Sequence, residues 1–142
     1  MHLSVFIMEK LRKAGFNFGE DEHLCYPGTV YFYKGKEYII GGFEKPIFNS
    51  DEVSEFPTEN DYSEIDITVS SKGTRLATVE DLLWYIELNS YSFELKYQAE
   101  NQYFHADFIG ENGHRFSSSG PSFIAFLEKS VFKIARYINT EK

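Results

Sequence analysis

The chain has 142 residues, 42% hydrophobic and 18% aromatic, with a net charge of −8 and a pI near 5.0. That is enough apolar material for one cored domain. The acidity argues against direct binding to nucleic acid or to an anionic membrane, both of which need a basic face. A lone cysteine, Cys25, rules out an internal disulfide and suits a reducing compartment.

His2 to Ala14 reads as an amphipathic helix with Leu3, Phe6, Ile7 and Leu11 inward and Gly15 as its stop. Glu9, Lys10, Arg12 and Lys13 break any leader-like apolar run, and no stretch approaches a membrane span. A cytoplasmic protein is expected. Phe16-Asn17-Phe18 reads as a short strand and Gly19 to His23 as an acidic loop. Thr29 to Tyr33 and Glu37 to Ile40 are predicted strands joined through Lys34-Gly35-Lys36, and Gly41-Gly42 breaks their sheet.

Phe43 to Tyr62 is the least regular stretch, with six acidic residues against the single Lys45. A charge run of this kind is ordinarily a solvated loop. The sharper reading is a recognition loop, because apolar and aromatic residues interleave with the carboxylates. Its candidate binding residues are Phe48, Asp51, Glu52, Glu55, Phe56 and Tyr62. Ser63 to Val69 follows as a predicted strand with Ile65, Ile67 and Val69 inward, and Lys72-Gly73 turns the chain.

Thr78 opens a second helix: its hydroxyl can cap the first turn, and Glu80 and Asp81 suit the positive end of the helix dipole. Val79, Leu82, Leu83 and Ile86 form its apolar stripe, Trp84 and Tyr85 lie off it, and Asn89 stops it. Tyr91 to Tyr97 alternates strictly, with Tyr91, Phe93, Leu95 and Tyr97 on one face. A turn at Gln98 to Asn101 leads to a strand from Gln102 to Ile109 with Phe104, Ala106 and Phe108 inward. Asn112-Gly113 predicts a two-residue type I′ hairpin, which pairs Ile109 with Phe116 and Asp107 with Ser118. Pro121 suits the first position of a third helix, with Phe123, Phe126, Leu127, Val131, Ile134 and Ile138 inward and Lys129, Lys133 and Arg136 wet.

Several constellations have the residue types for chemistry. His105 and Asp107 share a strand face, and with Ser118 across from Asp107 they offer a serine-hydrolase alternative. No Gly-x-Ser-x-Gly elbow accompanies them, so they read first as polar side chains on a wet strand face. His23 and Cys25, with His105 or His114, have ligand chemistry, but no second cysteine or paired histidine spacing completes a metal set. No phosphate-loop glycine pattern occurs. No catalytic residue, metal or cofactor is therefore assigned. Tyr31 and Tyr33, which share a strand face, and Tyr26, Tyr62, Tyr85, Tyr103 and Trp84 read as rim residues or as part of a protein-binding surface.

From Tyr103 to Ile138, an alternating strand, the Asn112-Gly113 turn, Phe116, Ser119-Gly120 and a Phe/Ala/Leu-rich helix resemble small phage- or prophage-encoded proteins of an α-β-α sandwich type. The helix at Thr78 to Leu88 fits the same pattern. The resemblance implies a bacterial or phage cytoplasmic protein and carries no catalytic residues.

The sequence thus predicts a single α+β domain over residues 1–142, a mostly antiparallel sheet packed by helices 2–14, 78–89 and 121–139. A finer grouping sees lobes 1–72 and 73–142 as two αβββ halves sharing one sheet. The expected function is a non-enzymatic, acidic protein-binding module, a phage or bacterial regulator or inhibitor of a host protein. Its expected partner is a protein, basic or nucleic-acid-binding. An immunity-type antitoxin facing a basic toxin is the second reading, and the small hydrolase of His105, Asp107 and Ser118 the third.

Overall fold

The computed structural model describes residues 1–19, 22–23, 25–41 and 64–140. The fold is α+β, with four helices and two three-stranded antiparallel sheets among the described residues. The chain forms two compact units: Met1–Phe18 together with Ala77–Lys142, and Gly19–Leu76. The described strands thus form two sheets in place of the one sheet expected for halves 1–72 and 73–142. The acidic stretch Phe43 to Tyr62, with its candidate residues, lies outside the described residues.

In the Gly19–Leu76 unit the strands are β1 (Val30–Tyr33), β2 (Lys36–Ile39) and β3 (Thr74–Leu76), in the order β2-β1-β3. Tyr33 pairs with Lys36, so Lys34 and Gly35 form a two-residue loop. Both have positive φ, 48° and 79°, as a type I′ turn requires. The expected strand at Ser63 to Val69 is instead α2 (Glu64–Lys72). Ile65, Ile67 and Val69 alternate as a strand would, yet only Val69 is buried; Ile65 and Ile67 are 47% and 52% exposed. Glu64 and Asp66 occupy the first turn, where the free amides and the dipole favour carboxylates. Tyr31, Ile40 and Val69 form the core of this unit, with Cys25, Tyr33 and Tyr38 packed on it. Tyr31 is fully buried, and its hydroxyl donates to the Glu22 carbonyl at 3.2 Å.

In the other unit α1 (Val5–Ala14) is capped by Ser4 and ends at Gly15. It buries Met8 and Leu11, whereas Phe6 is 77% exposed, contrary to the expected stripe. Leu3 explains the misphasing. It is buried but precedes the helix in extended chain, where its amide bonds the Ala77 carbonyl at 2.8 Å. Phe16 and Phe18 are buried without forming a strand. α3 (Val79–Leu88) opens with a full capping box: the Thr78 hydroxyl accepts from the Asp81 amide and the Asp81 carboxylate accepts from the Thr78 amide. Its core side includes Tyr85 beside Leu82 and Ile86, so Tyr85 is not a rim residue, while Trp84 is. The helix stops at Asn89 with negative φ, and Ser90 takes the left-handed conformation instead.

The sheet of this unit runs β4 (Tyr91–Gln98), β5 (Tyr103–Gly110), β6 (Arg115–Gly120), in that order. The expected register at its second hairpin is off by one. Gly110 pairs with His114 through backbone hydrogen bonding, leaving a three-residue loop. Within it Gly113 has φ of 86° while Asn112 stays at negative φ, the geometry of a type I turn closed by a left-handed residue. The slip puts Phe116 opposite Phe108, and Ser117, not Ser118, opposite Asp107. Phe93, Phe108 and Phe116 then lie side by side across the three strands, stacked at 4.6 Å between successive rings. α4 (Phe123–Thr140) lays Phe126 on this row, 6.0 and 5.9 Å from the rings of Phe93 and Phe108. Ser122, rather than Pro121, starts α4, its hydroxyl accepting from the Ala125 amide. α3 packs on α4 and β4, and α1 on α4. The helices thus cover one face of this sheet.

Candidate functional site: the uncovered face of the β4–β5–β6 sheet

Alternation in the sheet sends the aromatic row to the helices, so the residues between them must face the other way. Register sets these outward residues in three rows across the strands: Ser92, Ile109 and Arg115; Glu94, Asp107 and Ser117; Lys96, His105 and Ser119. His105 is half-buried and the others are exposed. They surround a shallow depression of about 350 Å³ lined by Ser92, Glu94, Lys96, His105, Asp107 and Ile109.

Glu94 stands directly across from Asp107, a like-charge pair that would repel. Asp107 is held in its charged form nonetheless. Ser117 donates a hydrogen bond to Asp107 Oδ1 at 2.5 Å, and the charges of His105 and Lys96 add to it; together they hold the carboxyl below its ordinary value. His105 Nε2 lies 3.6 Å from the same oxygen.

This arrangement does not make a hydrolase triad. Ser118 is turned to the helix-covered face, 3% exposed, and its hydroxyl has no hydrogen-bond partner among the described residues. In its place Ser117 joins His105 and Asp107, but with the carboxylate in the middle. The serine donates to an acid and has no base positioned to take its proton, whereas nucleophilic catalysis needs the imidazole between serine and carboxylate. Ser117 and Arg115 were missed as members of the face. The aromatic at Phe116 was the available signal: only the observed register gives it a core partner.

The other singled-out residues are dispersed. His23 Nδ1 lies 3.0 Å from the Ser70 carbonyl, so it carries the hydrogen of that bond, and the Cys25 thiol points at the Asp66 carbonyl at 4.0 Å. Both are thereby tied to α2. His114 is stacked on Tyr137 at 3.6 Å, and its Nδ1 lies 2.8 Å from the Tyr91 hydroxyl. That hydroxyl receives the Asn112 amide at 3.4 Å, which leaves its own hydrogen for His114. Tyr85 has its pKa raised, first by burial and then by Tyr91. Among the described residues no three His, Cys, Asp or Glu side chains come together as a metal site would require, and no helix is long and apolar enough to cross a membrane.

Charge is divided unevenly along the chain. Residues Gly19–Leu76 carry five Lys and Arg against twelve Asp and Glu, a net −7, whereas the other unit carries nine against ten, a net −1. Comparison of the chain with protein-family models, with curated proteins and with solved structures finds no match.

Proposed function

We propose that this chain is a non-enzymatic, acidic protein-binding module, made by a phage or bacterium to regulate or inhibit a host protein in the cytoplasm. The observation that carries the reading is the segregation of charge: seven of the eight excess negative charges fall in the Gly19–Leu76 unit. A field concentrated in one part of a molecule steers a basic partner, such as the positive groove of a nucleic-acid-binding protein, and does so in a salt-dependent way. The interleaved Phe48, Phe56 and Tyr62 supply the apolar anchors that interfaces favour. Asp51, Glu52 and Glu55 supply charge beside them.

Replacing Asp51, Glu52 and Glu55 together by Lys changes the charge of that unit from −7 to −1. Association with the basic partner then slows by roughly tenfold or more at low salt, and the difference shrinks as salt rises. An on-rate and affinity at low salt equal to those of the unaltered chain would overturn the acidic-loop reading.

A further inference from the structure

The two edges of the β4–β5–β6 sheet are treated differently by the fold. At the β6 edge, the outward carbonyl of Ser117 is taken by Lys133 Nζ from α4 at 2.6 Å. Gly120 there approaches α4 so closely that an added Cβ would sit 2.6 Å from the Phe126 amide nitrogen. A lysine and a covering helix are common ways of blocking a sheet edge.

Among the described residues of this unit, no lysine and no helix closes the β4 edge in that way. The Glu111 amide bonds the Ser90 carbonyl at 3.1 Å, which fixes the phase of the β4–β5 ladder. Ser92, Glu94 and Lys96 must then hydrogen-bond inward to β5, and Phe93, Leu95 and Tyr97 turn their amides and carbonyls outward. Among the described residues those outward groups have no partner. Leu95 and Tyr97 are also 41% and 55% exposed, although they lie on the helix-covered face.

We propose that β4 pairs antiparallel with the β4 strand of a second copy of this chain, about a two-fold axis at Leu95. The phase of the ladder permits only registers that pair outward-turned residues of β4 with outward-turned residues of the second copy. Centring on Glu94 sets Glu94 against Glu94 of the second copy, and centring on Lys96 sets lysine against lysine. Centring on Leu95 sets Glu94 against Lys96 twice on the uncovered face, while Phe93 meets Tyr97 twice and Leu95 meets Leu95 on the other. Charge and apolar matching therefore coincide in one register, and the contact is isologous and closes. Two three-stranded sheets become one of six strands.

The test is molecular mass against concentration, by sedimentation equilibrium. The unaltered chain is expected to approach twice its 16.5 kDa. Glu94→Lys and Lys96→Glu each replace two attractions by two repulsions and weaken the dimer on the order of tenfold or more. The double swap, E94K with K96E, restores it. In a Cys25→Ser background, Leu95→Cys cross-links on mild oxidation, because directly opposed hydrogen-bonded residues lie about 5.5 Å apart, within disulfide reach. A chain that stays monomeric at every concentration, a dimer indifferent to both charge reversals, or a dimer in which Leu95→Cys fails to cross-link would each overturn the proposal.

Discussion

Asp107 shows how little of a residue's chemistry is carried by its type. It faces Glu94 across the sheet, yet the hydrogen bond from Ser117 is the largest influence on its pKa and lowers it. A carboxyl with a folded pKa below the unfolded one adds stability that is present above the unfolded value and is lost as pH falls through the folded value. For Asp107 that window lies below its ordinary 3.8. Removing the bond with Ser117→Ala should raise the Asp107 pKa towards 3.8, which NMR titration of the side-chain carboxyl reads directly. An unchanged value would mean that His105 and Lys96, not the serine, hold the charge. The neighbouring Ser118 is the converse case. Its buried hydroxyl gains nothing from the core, so Ser118→Ala should stabilise the protein by about 1 kcal/mol in urea denaturation. A loss of stability would show that the hydroxyl is satisfied after all.

At the scale of elements, the second hairpin depends on its loop. Gly113 alone there holds positive φ, with open space around it. Gly113→Ala should cost about 1–2 kcal/mol through backbone conformation alone, with an unchanged urea m value. Elements whose signals were both local and redundant were legible in the sequence. The Thr78 cap, the Gly15 stop, the alternation of β4 and the long stripe of α4 all appear where the residues indicate. Elements that depend on tertiary partners were not. α2 was hidden by a five-residue alternation that fits either period, and β3, only three residues long, exists because β1 offers it an edge. The hairpin failed for a different reason: Asn-Gly fits both a two-residue loop and a three-residue loop ending in Gly113. The choice falls to whether Phe116 reaches Phe108, a contact between residues eight apart in the chain that no local turn rule contains. The same one-residue slip leaves His105 and Asp107 on one face, as their spacing predicts, and turns Ser118 to the opposite face.

At the scale of the whole molecule, the two units differ in charge and in what they offer a partner. The nearly neutral unit presents an edge strand complementary to itself, and the strongly acidic unit presents a field suited to a basic protein. A dimer through β4 would double the number of acidic units per particle, so that a partner with two basic sites gains avidity without any new contact. The most direct test of the central reading is capture from a bacterial lysate by the tagged full chain at low and at high salt, with the bound proteins identified by mass spectrometry. It is run in parallel on the Asp51, Glu52 and Glu55 to Lys variant and on a variant with the same charge change in the other unit, Glu80, Glu87 and Glu128 to Lys. One specific basic partner is expected, held at low salt and released at high salt, kept by the second variant and lost by the first. Capture that survives high salt, or that both variants lose equally, would contradict it.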